Sequence, residues 1–312
     1  MIFLVAGLIA SALLLGCLAG PVLDRSQRSA AVPGIAIACW MAALAGTFIA
    51  GGGVVAIALL SPPGPGHGFL EWLRDCLPHH GDLAIIMAAA ASLVLLTACG
   101  SRLARGLPRL VRAVRHRRRH WEMLRLVARQ DGRHADVLVL DHPVPVAYSL
   151  PARRRAIVVS TGAQDALSPA EFGAVLAHER AHLRQRHHAL LLMLDLAHAL
   201  LPWPPTVRRA RARLPLLLEM AADDAAARAW GRRPLVDALR RLAAAPGAAG
   251  ALGATGGSGP AALVQRVRRL ESAEPAKPRK VLRMTASVFV MAAVATPLAV
   301  VAMAIAELST VC

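Results

Sequence analysis

Four long stretches without a charged residue dominate the chain. They run over Ile2–Leu23, Val32–Leu60, Leu83–Cys99 and Met284–Ala306. A helix that crosses a bilayer needs about 20 apolar residues, so the pattern predicts four transmembrane helices, of which the third is short. Because 56% of the residues are apolar and come in blocks, the chain fits neither a disordered protein nor a single soluble domain.

The first stretch could instead be a cleaved signal peptide. It begins Met1-Ile2-Phe3, without the basic residues that open such a peptide, and it stays apolar as far as Leu23. We therefore expect a membrane helix that is retained in the mature protein.

Basic residues concentrate between the third and the fourth apolar stretch. Residues 101–283 hold 33 Lys+Arg and 14 Asp+Glu, a net charge of +19, whereas the loop 61–82 is net negative. Cytoplasmic segments of membrane proteins carry the excess of Lys and Arg. The distribution predicts a multi-pass plasma-membrane protein with residues 101–283 in the cytoplasm and both termini outside. No nucleic-acid partner is expected, because the arginines are not interleaved with aromatic residues.

The basic segment has the pattern of a mixed helix and strand domain. Arg102–Arg129 predicts a basic helix at the membrane surface, and Val146–Leu150 with Ala156–Thr161 predicts a β-hairpin. The apolar run Ala189–Leu201 is too short to span and is expected to be buried or half-sunk at the interface. The other predicted elements are a strand over Asp136–Leu140, helices over Ser168–His187, Leu214–Trp230 and Ala261–Leu270, and a flexible Gly- and Ala-rich linker over 246–260.

The predicted helix that begins at Ser168 contains the sequence His178-Glu179-Arg180-Ala181-His182. Two histidines four residues apart lie on one helix face, so both rings can reach a single zinc ion. Glu179 lies beside them, where it can take a proton from water at the metal. The alternative is a surface helix with two solvated histidines.

A hydrolytic zinc site needs a third protein ligand and one open position. His188 has the spacing of the longer HExxHxxGxxH motif, but Gln185 replaces its turn-forming glycine, and an unbroken helix would carry His188 off the ligand face. Glu219 is the other candidate, because a second helix could present it. Asp223, one turn later, could then support a ligand histidine. We expect Glu219 as the ligand; a solvent-facing polar stripe is the alternative.

HExxH followed by ExxxD, with apolar spans on both sides and a preceding hairpin, resembles the gluzincin membrane metallopeptidases, in particular the BlaR/MecR antirepressor type. The stretch Gln265–Leu270 ahead of the last span is also similar to that family. The resemblance implies a cytoplasm-facing zinc endopeptidase that cleaves a regulator, or itself, in response to an outside signal. Receptors of this type carry a drug-binding sensor domain after the last span, whereas only Glu307–Cys312 follow here, and His187-His188 replace a common acidic residue.

These inferences predict an α-helical integral membrane protein with four transmembrane helices and an inserted α+β zincin-like metalloprotease domain. Residues 1–100 are expected to form a three-helix membrane region, 101–283 the protease domain, and 284–312 the fourth helix with a short outer tail. The expected partners are the lipid bilayer and a protein or peptide substrate, repressor-like or membrane-proximal; the oligomeric state is left open. The alternatives are an HtpX-like membrane quality-control protease and a non-enzymatic signalling scaffold stabilised by zinc.

The motif also predicts a mechanism. Zn²⁺ would lower the pKa of a water molecule, and Glu179 would take the proton and pass it to the leaving amine. An extended substrate would add along the hairpin edge, where Tyr148 could contact it, although a tyrosine of the core is the alternative. Cys76 and Cys312 both fall on the predicted outer face and could form a disulfide.

Overall fold

A computed structural model describes residues 2–26, 32–60, 97, 100–108, 111, 112, 115, 119, 121–124, 126–150, 156–244, 259–272 and 280–311. Several predictions fall outside the described residues: the third span except Thr97, Cys76 and Cys312, and residues 246–258 of the linker. Within the described part, three helices are long and apolar enough to cross a membrane, namely Phe3–Arg25, Pro33–Ala56 and Lys280–Ala306. They coincide with the first, second and fourth predicted spans.

These three apolar helices, called the spans below, pack against one another in a bundle. Helix α1 (Ile2–Leu13) continues through a π-helical segment (Leu14–Ala19) into α2 (Gly20–Ser26). Helix α3 (Pro33–Leu60) packs against α1 and against the last helix, Lys280–Val311. A Cβ atom at Gly46 of α3 would collide with the main chain of the last helix. The two helices therefore approach at a distance that only glycine permits.

A small mixed sheet lies between the second and the last of these helices in the sequence. Its strands are β1 (Arg129–Gln130), β2 (Val137–Leu140), β3 (Ala147–Leu150) and β4 (Ala156–Ser160), in the order β1-β2-β4-β3. β3 pairs antiparallel with β4, which confirms the pairing that the sequence predicted, and β2 runs parallel to β4. The predicted helix Arg102–Arg129 extends too far. Its last residue, Arg129, already lies in β1, where it pairs with Val139 of β2.

The remaining described elements are helices. They are α4 (Thr161–Ala166), α5 (Pro169–Arg184), α6 (His187–Leu200), α7 (Pro205–Trp230), α8 (Arg232–Ala244) and α9 (Pro260–Ser272). The predicted helix from Leu214 begins nine residues earlier in the structure, at Pro205. The apolar run that was expected to be buried or half-sunk is α6, which packs against α7.

Helix α7 connects the spans to the rest of the molecule. With 26 residues it is about 39 Å long. Val207, Ala210 and Leu214 in its first half lie in one apolar cluster with residues of α2 and α3. Ala226 near its end lies in a second cluster with α5, α8 and α9. The helix therefore fixes the position of α5 relative to the membrane bundle.

Candidate metal centre

Helix α5 presents the HExxH residues, and a capping box fixes its start. The Ser168 hydroxyl accepts a hydrogen bond from the Glu171 N–H, and the Glu171 carboxylate accepts one from the Ser168 N–H at 2.7 Å. Pro169 occupies the first turn, where its missing N–H costs nothing. Leu176 and Leu183 pack the inner face of α5 on the sheet. This packing fixes the rotation of α5 about its axis.

His178, His182 and Glu219 bring three possible ligand atoms together. The Nε2 atoms of the two histidines lie 3.1 Å apart. Glu219 Oε2 is 3.5 Å from His178 Nε2, and Glu219 Oε1 is 3.5 Å from His182 Nε2. Tetrahedral zinc with bonds of about 2.0–2.2 Å places its ligand atoms about 3.4 Å apart. The three groups therefore match three corners of a tetrahedral zinc site.

Asp223 and Arg266 form a buried ion pair behind His178. Asp223 Oδ1 lies 3.1 Å from His178 Nδ1. Arg266, on α9, donates hydrogen bonds of 2.7 and 2.8 Å to the two carboxylate oxygens of Asp223, and its Nη1 lies 2.9 Å from Glu219 Oε2. The guanidinium of Arg266 therefore neutralises part of the negative charge that Asp223 and Glu219 bring to the site.

Glu179 is buried beside the three possible ligands. Burial raises the pKa of its carboxyl to about 7, and the negative charge of Glu219 adds to the effect, while the positive charge of His178 opposes it. A hydrogen bond with Ser149 of β3 also lowers the pKa of the Glu179 carboxyl and offsets part of the effect of burial. A carboxyl group with a pKa near neutrality can both accept and release a proton. Sequence reasoning missed Ser149, because nothing in a strand pattern connects it with a residue of α5.

The charges of the site move its other pKa values in opposite directions. Burial lowers the pKa of His178, but the carboxylates of Asp223 and Glu219 outweigh burial and raise it to about 10. Burial and the nearby charge on His178 lower the pKa of His182 to about 3. For Glu219, burial raises the pKa, yet His178 and Arg266 bring it down to about 2. A proton on His178 and a metal ion would compete for the same carboxylates.

The chain turns directly after the HExxH helix, which corrects one sequence inference. We expected an unbroken helix to carry His188 away, but α5 ends at Arg184 and Arg186 adopts a left-handed conformation with φ of 53°. The rings of His182 and His188 consequently lie 6.3 Å apart, and His188 Nε2 lies 3.2 Å from Ser149 Oγ. Among the described residues, the group that could share one ion nevertheless consists of the two motif histidines and Glu219.

His187 is a further buried residue to which sequence reasoning gave no role in the site. Its side chain is 1% exposed, its Nδ1 lies 2.8 Å from His182 Nδ1, and its Nε2 lies 3.0 Å from the Gln185 side-chain oxygen. Burial lowers the pKa of His187 to about 4, so the ring is neutral at neutral pH. It thus supports the outer side of the His182 ring, as a hydrogen-bonding neighbour of a metal ligand does.

Tyr148 lies on β3, one residue before Ser149. Its side chain packs in the apolar cluster of Leu124, Leu150 and Val158, and burial raises the pKa of its hydroxyl. The structure therefore places part of the ring in a core, in line with the alternative raised from the sequence.

Residues 113–208 match the model of peptidase family M48. The match includes HExxH in α5 and ends before Glu219. It supports a zincin-type metallopeptidase, a hydrolase, and the three apolar helices suggest association with a membrane. No curated protein and no solved structure matched the chain.

Proposed function

We propose that this protein is a membrane zinc endopeptidase in which His178, His182 and Glu219 hold the metal and Glu179 is the general base. The observation that carries the proposal is the set of three ligand atoms 3.1–3.5 Å apart, with a buried carboxylate beside them. The match to peptidase family M48 supports the same class of enzyme.

When bound, zinc supplies a Lewis acid for the scissile carbonyl and a water of lowered pKa. Glu179 accepts a proton on its carboxylate and later donates it to the leaving amine, a use for which its raised pKa is suited. Ser149 orients this carboxylate. The Asp223 carboxylate lies 3.1 Å from His178 Nδ1, and the opposite ring nitrogen, Nε2, faces His182 and Glu219.

The proposed enzyme would bind an extended protein or peptide segment as its substrate. β3 is an edge strand of the described sheet: in the order β1-β2-β4-β3 it pairs with β4 on one side and with no described strand on the other. A peptide can add to such an edge through main-chain hydrogen bonds that tolerate varied sequence. Ser149 on this strand contacts Glu179, so a peptide bound along β3 would lie beside the proposed base, with Tyr148 next to it.

We further propose that cleavage takes place at the cytoplasmic membrane surface and is regulatory, on a repressor-like or membrane-proximal protein. The net charge of +19 on residues 101–283 favours a cytoplasmic site. Helix α7 carries Glu219 and packs against α2 and α3, so the proposed centre is held close to the spans. This arrangement limits the substrates to those that reach the membrane surface.

The test measures zinc content and proteolysis of the full chain in detergent. Glu179→Gln should keep one zinc per chain and lose cleavage of a fluorescent casein substrate, whereas Glu122→Gln, an exposed carboxylate outside the site, should keep both. Cleavage that persists in Glu179→Gln would remove the proposed base. Zinc without cleavage in the wild-type chain would favour the non-enzymatic scaffold.

A second pair of variants tests the ligand set. Glu219→Ala should lower zinc occupancy, whereas His188→Ala should retain it, because Glu219 completes the set of three ligand atoms. The reverse result would make His188 the ligand.

Trapping tests the regulatory role. Glu179→Gln, expressed in cells and cross-linked, should retain one repressor-like protein. Capture of many membrane proteins would instead indicate quality control.

A further inference from the structure

Arg266 contacts both Glu219 and Asp223 through its guanidinium group. Its side chain is 3% exposed. Nε and Nη2 bind the Asp223 carboxylate, and Nη1 lies 2.9 Å from Glu219 Oε2. The guanidinium thus uses three of its nitrogen atoms on two carboxylates that lie one turn apart on α7.

This geometry needs an arginine. A planar guanidinium presents its N–H groups in a fixed fork, whereas a lysine ammonium is a single point charge on a flexible stem. The fork therefore fixes the side-chain torsions of both carboxylates together. Because Asp223 contacts His178 Nδ1, Arg266 acts on two of the three proposed metal ligands, on Glu219 directly and on His178 through Asp223.

The contact also comes from a separate element of the fold. Arg266 lies on α9, and residues 273–279 connect α9 to the last membrane helix. Next to Arg266 on α9, Arg269 forms a second paired contact with α7, donating hydrogen bonds of 2.7 and 2.8 Å to the Asp224 carboxylate. The Arg269 pair docks the same two helices without contacting a proposed ligand. Both arginines therefore dock α9 on α7, but Arg266 alone of the two also contacts a proposed ligand.

We infer that Arg266 is a positioning residue for the metal centre. It holds Glu219 and Asp223 in the conformation that binds zinc, and the packing of α9 against α7 places Arg266 at the site. The inference rests on the ligand set of the proposed function. It gives α9 a role in metal affinity beyond its contribution to stability.

The experiment compares Arg266→Ala with Arg269→Ala in the full chain in detergent. Zinc affinity is measured by competition with a chromophoric chelator, and Tm is measured on the metal-free protein. Both variants should lower Tm, because each removes an ion pair between α7 and α9. Arg266→Ala should weaken zinc binding by about 10- to 100-fold, the range for partners that orient metal ligands, while Arg269→Ala should change it less than about 3-fold.

Two further measurements separate positioning from folding. Arg266→Lys keeps the charge but not the fork, so it should fold and still bind zinc more weakly than the wild type. Guanidinium ion at millimolar concentration should partly restore zinc affinity in Arg266→Ala and have no effect in Arg269→Ala. Equal losses of zinc affinity in the two alanine variants, or wild-type affinity in both Arg266 variants, would overturn the inference.

Failure of the proposed function gives a different result. If the wild-type chain binds zinc in a manner that depends on Arg266 but cleaves no peptide, the positioning role stands and the peptidase proposal fails. If Glu219→Ala leaves zinc affinity unchanged, the ligand set is wrong and the positioning inference fails with it.

Discussion

Both halves of α7 pack in apolar clusters, but the second half, after Pro215, also carries the carboxylates of the proposed metal centre. In the first half, Val207 and Leu214 pack in an apolar cluster with α2 and α3. In the second half, Glu219 and Asp223 are held by charged and polar partners. One helix thus joins an apolar contact with the spans to an ionic contact at the proposed centre.

Apolar packing and ionic contacts contribute differently to the structure of α7. Apolar packing is non-directional and fixes where α7 lies. The ionic half fixes side-chain directions, but each buried charge depends on its partner, because removing one partner leaves the other charge uncompensated. Substitutions in the first half should therefore change stability alone, whereas substitutions of Glu219 or Asp223 in the second half should change stability and metal affinity together.

The largest effect is expected for Asp223→Ala. Asp223 is fully buried, and its removal leaves Arg266 without its main partner, which should cost about 3–5 kcal/mol of unfolding free energy and weaken zinc binding. Denaturant unfolding in detergent and chelator competition measure the two losses. Asp224→Ala is the matched control, because Asp224 is partly exposed and contacts no proposed ligand; equal losses of zinc affinity in both variants would contradict a role for Asp223 in holding the metal ligands.

Leu214→Ala tests the apolar half. Leu214 is 2% exposed, and its truncation should cost about 2–5 kcal/mol through lost burial and a cavity. The zinc affinity of the folded fraction should stay at the wild-type value, measured below the unfolding transition. A parallel loss of zinc affinity would show that the two halves are coupled.

Thr206→Val removes the polar contact of the first half. The Thr206 hydroxyl accepts a hydrogen bond from the Gly20 N–H at 2.8 Å and donates one to the Leu15 carbonyl at 2.7 Å. The substitution removes both hydrogen bonds and should cost about 1–3 kcal/mol, since one hydrogen bond contributes about 0.5–1.5 kcal/mol. Thr206→Ser keeps the hydroxyl and should lose less; the reverse order would mean that the methyl group, not the hydroxyl, matters.

The ionic half should also be sensitive to acid. The pKa of Glu219 in the folded, metal-free protein is about 2, below its unfolded value of about 4.3. The stability that Glu219 contributes is therefore present above the unfolded pKa and is lost as the pH falls toward 2, by at most about 1.4 kcal/mol per pH unit. Unfolding with EDTA at several pH values should give a shallower slope for Glu219→Gln than for the wild type. An unchanged slope would contradict the lowered pKa.

The smallest effect is expected for Arg213→Ala. Arg213 donates a hydrogen bond of 2.7 Å to Asp24, but its side chain is half exposed, and exposed ion pairs contribute about 0.2–1 kcal/mol. Unfolding in low and high salt measures it. A loss as large as that of Asp223→Ala would mean that burial does not decide the difference between the two halves.

Much of the fold follows from local patterns. The described spans, the capped start of α5 and the pairing of β3 with β4 all come from short-range signals. The structure also brings Glu219 and Asp223 to the HExxH face, as the spacing of two crossing helices suggested.

The rest depends on contacts between distant parts of the chain. In the turn after α5, Arg186 adopts a positive φ. Glycine is the usual sequence signal for such a turn, and this position has an arginine instead. Helix α7 begins at Pro205 because its first turns are buried against the spans. The sequence does not indicate this early start, because four arginines within residues 208–213 interrupt the apolar pattern. Arg266 lies 43 residues from Asp223 in the sequence, so no local pattern connects them.

The π-helical segment of the first span has a mechanical consequence. Where the segment widens the helix, the Thr206 hydroxyl bonds to the Leu15 carbonyl on one side and to the Gly20 N–H on the other. A sliding or turning motion of this span relative to α7 would have to break both hydrogen bonds at once. Through these two hydrogen bonds the first span is joined directly to the helix that carries Glu219.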